Sequence, residues 1–270
     1  IPEPVWDGTD LDGKSIMVHT EQGYGDAIQF IRYMPLIVTK GGIVTIECQR
    51  ELAELFENVP GVSKVVRRGD TLPPFDVHSQ LLSMPYLFGT EIDSIPSQIP
   101  YIKADTRLVS YWRERMRDDS AKLKIALTWA GVNPKKKNFS LNLLAPIMKA
   151  NDVSFYSLQK GEPAQECMNA PERFRIIDWT CDIDNFAHTA ALIENMDLTI
   201  TADTAVAHLA GAMGKPVWTL LPYAADWRWL LDREDSPWYP TMRLFRQPAL
   251  GDWESVIARV AESLAEYTAS

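Results

Sequence analysis

A threonine and a histidine, Thr204 and His208, stand four residues apart in the stretch Asp197 to Leu221 (DLTITADTAVAHLAGAMGKPVWTLL). On a helix that spacing stacks the two side chains one above the other. A hydroxyl and an imidazole in a first turn, beside unpartnered backbone N–H groups and the positive dipole end, suit an anion such as a pyrophosphate. Asp203, in the turn just before, belongs to the same group. Upstream, the loop Glu21-Gln22-Gly23-Tyr24-Gly25-Asp26 brings Asp26 to a helix start, where a carboxylate is either an N-cap or a base. As a base it is weak, because a helix N-terminus favours the charged form. A weak base suffices when proton transfer comes late and the attacking hydroxyl has already become acidic. Further cations follow strand ends: Lys135-Lys136-Lys137, Lys160 in Gln159-Lys160-Gly161, and Arg228 in Asp226-Trp227-Arg228-Trp229. A lysine run is by default a solvated face, and a structural ion pair explains Arg228 as well as a phosphate does. Of Trp227, Trp229 and Trp238, at least two are expected to pack a long loop rather than stack on a ligand. His19, His78 and His188 lack metal-ligand spacing, and no metal is implied.

These residues need elements to hold them. Leu198–Ile200 and Val217–Leu221 read as buried strands, and Val206, Leu209, Ala210 and Met213 form an apolar helical stripe between them. Gly214 supplies the left-handed helix end and Pro216 the stop. Before this segment, Ser15–His19, Ile43–Glu47, Val62–Val66 and Phe75–Val77 read as strands. Helices carrying Ile28, Ile31 and Met34, and then spanning Gln49–Asn58, alternate with them. After a charged helix over Arg107–Asp118 the alternation restarts at Lys124–Trp129, Phe155–Leu158 and Ile176-Ile177, with a helix over Asn185–Asn195 and an amphipathic one over Gly251–Tyr267. Such alternation predicts α/β architecture, parallel sheets with helices on both faces. The polar stretch after Asp118 divides the chain into 1–118 and 119–270, each roughly the size of a Rossmann-like domain. Ligands bind at the carboxyl ends of strands in such sheets, so two facing domains make one cleft.

Composition narrows the class. The 270 residues are 46% apolar and 23% charged, as in an ordinary globular protein. A net charge of −9 argues against a nucleic-acid partner and an anionic membrane surface. No apolar run is long enough to span a membrane. Cys48, Cys167 and Cys181 read as unpaired thiols, and a cytoplasmic location is expected. A start at Ile1 rather than Met suggests a piece of a longer protein.

The segment DLTITADTAVAHLAGAMGKPVW resembles the nucleotide-binding segment of the heptosyltransferase-like (family 9-like) glycosyltransferases, and VHTEQGYGDAIQFIRYMPL resembles their first strand, loop and helix. The likeness is strongest to glycosyltransferase modules that follow tetratricopeptide repeats in bacterial proteins. It extends through PVWDGTDLDGKSI, ALTWAGVNP, YSLQKG, DSPWYPTMRLFRQ and GDWESVIARV, nearly the whole chain. It implies a GT-B fold, two Rossmann-like domains across a cleft, with the last helix crossing back onto the first. It also implies a metal-independent, inverting transfer from a nucleotide sugar to an acceptor hydroxyl on a protein or glycan, without cofactor, and repeats upstream. By this likeness Asp26 is the catalytic base, and Thr204, Ala205 and His208 meet the donor pyrophosphate. Lys160 and a member of the lysine run, such as Lys136 or Lys137, share its charge. One departure stands out: relatives carry an Arg-Ser pair where this chain has Phe139-Ser140. Either a nearby lysine substitutes or donor binding is weakened, which leaves a nucleotide-sugar-binding or scaffolding module as the alternative. A nucleotide-sugar epimerase is a weaker one.

Overall fold

A computed structural model of the chain describes residues 2–131, 139–171, 174 and 176–269. Its first half contains β1 (Ser15–His19), α1 (Tyr24–Phe30), α2 (Met34–Thr39), β2 (Ile43–Cys48), α3 (Arg50–Phe56), β3 (Val62–Arg67), β4 (Val77–Gln80) and the short α4 (Met84–Leu87). The four strands are parallel in the order β3-β2-β1-β4. Pro35 sits in the first turn of α2 and brings no N–H, so α1 and α2 are separated by a 3-10 turn over Ile31–Tyr33. Ile16, Val18, Val44 and Ile46 are fully buried in one core with the residues of α1, α2 and α3. Right-handed crossovers from β1 to β2 to β3 keep those helices on one face. Residues 68–76 then return from β3 at one edge to β4 at the other.

The second half contains α5 (Thr106–Arg115), β5 (Leu123–Thr128), β6 (Val153–Ser157), β7 (Ile176–Asp178), α6 (Phe186–Glu194), β8 (Leu198–Ala202), α7 (Ala205–Ala212), β9 (Val217–Leu221), β10 (Met242–Arg246) and α8 (Trp253–Ala269). Its six strands are parallel in the order β10-β9-β8-β5-β6-β7. Every residue of β8 and β9 is buried, as a strand covered on both faces must be. Gly214 ends α7 at φ +70. The three cysteines are free thiols.

Two expectations about domain packing are corrected. The last helix does not cross back onto the first half. α8 lays Val256, Ile257, Val260 and Leu264 into Ile125, Leu127, Leu198, Ile200 and Leu220 of the second sheet. Its apolar stripe is thus already matched by the sheet it follows. The helix over Thr106–Arg115 also belongs to the second half by contact. Trp112 stacks on Trp179 with centroids 5.8 Å apart, and Arg115 pairs with Asp182 at 2.8 Å. The Tyr101 N–H donates to the Ala212 carbonyl at 3.0 Å. Packing therefore changes hands before Tyr101, not at 118/119.

The halves share one hydrophobic core that includes Ile28, Phe30 and Tyr33 from the first and Ala207, Ala210, Trp229 and Tyr239 from the second. Arg32 fastens them. Its guanidinium donates to the carbonyls of Gln29, Pro96 and Trp238 and to the Tyr101 hydroxyl, at 2.8 to 3.1 Å. It also lies over the rings of Tyr101 and Tyr239, 4.6 and 4.7 Å from their centroids.

Candidate functional site

Strand order reverses once in each sheet, between β1 and β4 in the first and between β5 and β8 in the second. Those switch points open a crevice at the carboxyl ends of the strands, where α/β folds bind ligands. The loop Thr20–Gly23 leaves β1 there, and Trp129-Ala130-Gly131 and Ala202-Asp203-Thr204 leave β5 and β8. The Gly131 backbone passes beside Thr204 and Asp203. Gln159 holds this rim shut, its amide oxygen accepting from the N–H groups of Trp129 and Ala130, both at 2.9 Å.

Each crevice carries a helix start, and the two starts meet. A β-carbon at Gly25 would fall 2.8 Å from His208 Cδ2 and 3.5 Å from Ala205 Cα. Only glycine lets α1 and α7 approach so closely. Asp26 is the third residue of α1, after the cap Gly23, and one carboxylate oxygen accepts from the Gly23 N–H at 3.1 Å. The other accepts from the Arg228 guanidinium at 2.7 Å, across 202 positions of sequence. Arg228 is buried, also pairs with Asp226 at 3.2 Å, and leaves its Nε without a partner. Asp26 is thus the capping-box partner of the helix start rather than its N-cap, and it stands in the crevice with a cation. Glu21, in the same loop, has its carboxyl pushed up from the ordinary range by burial, with the Asp26 charge adding to it.

Thr204 is the N-cap of α7, its hydroxyl accepting from the Val206 N–H at 3.3 Å. The Ala205 N–H stands among the donors that helix geometry leaves without an intrahelical acceptor. His208 is only 3% exposed. Its Nδ1 is 2.8 Å from the Tyr239 hydroxyl, and Trp229 stacks on its ring at 5.3 Å. The face of α7 opposite the apolar stripe, expected to be open, is covered by α1. This is why a residue read as facing a ligand is buried at the seam.

The remaining candidates separate. Lys160 donates to the carbonyls of Thr180 and Ile183 at 2.7 and 2.9 Å, so its ammonium already fastens the β7–α6 connection. Asp203 is buried beneath the turn. Lys135, Lys136 and Lys137 lie outside the described residues. Phe139 is buried, its ring 4.8 Å from Trp253 of α8, and it brings no charge toward the crevice. Trp229 and Trp238 are buried and Trp227 is 61% exposed, which matches the expectation that two of the three pack. Arg32 escaped the sequence reading, although it falls one helical turn after Ile28, on a stripe meant for the core. Among the described residues no group of three or more His, Cys, Asp or Glu is arranged to hold a metal ion. Among them no helix is long and apolar enough to cross a membrane.

Residues 183–233, which hold α6, β8, α7, β9 and Arg228, match the family description Glycosyltransferase family 9 (heptosyltransferase). The whole chain aligns with Protein FlbA of Caulobacter vibrioides at 29% identity over 299 residues, and it spans 49% of that relative's length. Among solved structures, the ADP-heptose LPS heptosyltransferase II of E. coli superposes with a TM-score of 0.65 at 11% identity, covering 93% of this chain and 98% of that one. The glycosyl transferase family 9 protein of Veillonella parvula superposes with a TM-score of 0.67 at 11% identity, covering 96% and 91%. E. coli heptosyltransferase WaaC with ADP gives 0.60 at 10% identity, covering 93% and 98%. The chain has the GT-B fold of these proteins.

Proposed function

We propose that this chain is a metal-independent, inverting glycosyltransferase that moves a sugar from a nucleotide-sugar donor to an acceptor hydroxyl. One observation carries the reading. The starts of α1 and α7 meet at the two switch-point crevices, with Asp26 on one and the capped turn Thr204-Ala205 on the other, inside a GT-B fold. An N-terminal helical turn stabilises the negative charge that develops on a departing diphosphate. Asp26 takes the acceptor proton as the hydroxyl oxygen bonds to the anomeric carbon. The bond from that carbon to the diphosphate oxygen breaks, and the nucleoside diphosphate leaves with the electron pair. Gly131, Thr204 and Ala205 line the diphosphate side.

The acceptor is a protein or a glycan. A cytoplasmic location, tetratricopeptide repeats on the N-terminal side and a lysine of the 135–137 run at the diphosphate belong to the same proposal and rest on motif resemblance. A second reading, a donor-binding module without turnover, is favoured by the burial of Phe139 and the commitment of Lys160 to carbonyls, which leave fewer cations for the leaving group. Screening nucleotide-diphosphate sugars by thermal shift, then assaying transfer or donor hydrolysis in excess EDTA, separates the two. Stabilisation with turnover supports the enzyme; stabilisation without turnover across several donors and acceptors supports the module.

A further inference from the structure

The Asp26–Arg228 pair has a consequence for how such a site is loaded, and this inference rests on the proposed donor chemistry. Both oxygens of the Asp26 carboxylate are engaged: one accepts from the Gly23 N–H and the other from Arg228. Arg228 in turn is the described cation that meets this carboxylate, since Lys160 is bound to carbonyls, Arg32 is held by carbonyls and the Tyr101 hydroxyl, and Phe139 is turned into the α8 core. The pair lies beside the first turn of α7. Gly25, next to Asp26, touches His208 and Ala205, and Trp229, next to Arg228, stacks on His208.

We propose that Arg228 is a positioning residue shared between Asp26 and the donor diphosphate. It holds the Asp26 carboxylate and masks it from an acceptor. An arriving diphosphate at the start of α7 competes for the same guanidinium, whose Nε has no partner and whose planar fork suits two oxygens at once. Transfer of Arg228 to the diphosphate unmasks Asp26 for the acceptor hydroxyl, so the donor binds first. The pair then suppresses base chemistry until a leaving group is in place.

This arrangement has an unusual signature. Neutralising Asp26 should tighten nucleotide binding rather than leave it unchanged, because the diphosphate no longer has to take Arg228 from a carboxylate. The probes are inorganic pyrophosphate, ADP and UDP, titrated calorimetrically in excess EDTA against the parent, Asp26→Asn, Arg228→Ala and the double variant. Asp26→Asn is isosteric and carries the test even where Arg228→Ala folds poorly; Arg228→Lys then replaces it, keeping charge but losing the fork. The expected result is at least one probe bound roughly tenfold or more tighter by Asp26→Asn and correspondingly weaker by Arg228→Ala. The effect of Asp26→Asn should vanish when Arg228 is absent, which a general field effect of one charge would not do. If the parent binds a probe and Asp26→Asn binds it no tighter, or tightens it equally without Arg228, the sharing is wrong while the donor reading stands. If no form binds any probe, both fall.

Discussion

Asp26 accepts from the N–H of a helix cap, pairs with an arginine and faces a crevice, and these roles make different predictions. If it serves as the base, Asp26→Asn should reduce sugar transfer by roughly a hundredfold or more while nucleotides still bind. A parental rate, measured with saturating donor and acceptor, would leave it a helix-start residue only. His208 now belongs with the seam. His208→Ala removes a stacked ring and one hydrogen bond of the buried Tyr239 hydroxyl, so a loss of about 1–3 kcal/mol is expected from denaturant titration. A stability unchanged within error would argue that the Tyr239 contact contributes little. At this scale the sequence revealed what is local. Thr204, Asp26 and Gly214 were legible because helix starts and ends are written within a few residues. The partner of Asp26 was not, because Arg228 is 202 positions away. Lys160 looked available because nothing near it in sequence announces the carbonyls of Thr180 and Ile183.

Among the elements, α7 explains most of the difference between the reading and the structure. Its apolar stripe faced the sheet as expected, yet its other face was also covered, because α1 arrives through the glycine at position 25. Gly211 shows how tight this packing is: a β-carbon there would lie 2.6 Å from the Tyr239 ring. Gly211→Ala should therefore destabilise the protein by about 1–3 kcal/mol, read as a fall in melting temperature. An unshifted melt would mean that Tyr239 moves aside freely. The strands were legible wherever both faces are apolar, as in β8 and β9. β10 was not, because Arg243 and Arg246 interrupt the apolar residues of Met242–Arg246, which lies at a sheet edge and follows a proline-rich loop. The split of α1 from α2 was written in Pro35.

The molecule as a whole is a GT-B fold whose halves are fused along a seam rather than merely facing each other. One core crosses the seam, and Arg32 bonds to backbone and side-chain groups from both sides of it. The two halves should accordingly unfold in a single calorimetric transition. Arg32→Ala, which removes these bonds and leaves a cavity, should lower stability on the order of 3 kcal/mol. Two separated transitions in the parent would show that the shared core does not couple the halves. The fold class was legible because the alternation of strand and helix is a whole-chain pattern; the seam depends on contacts between distant segments and was not. Sugar transfer governed by Asp26 at that seam is tested most directly by the initial rate of nucleoside diphosphate release, with the best nucleotide-sugar donor and acceptor in excess EDTA, for the parent and Asp26→Asn. Release in the parent should be unaltered by EDTA and should fall at least about a hundredfold in the variant. Equal rates in the two proteins, or no release from any donor, would contradict that role of Asp26.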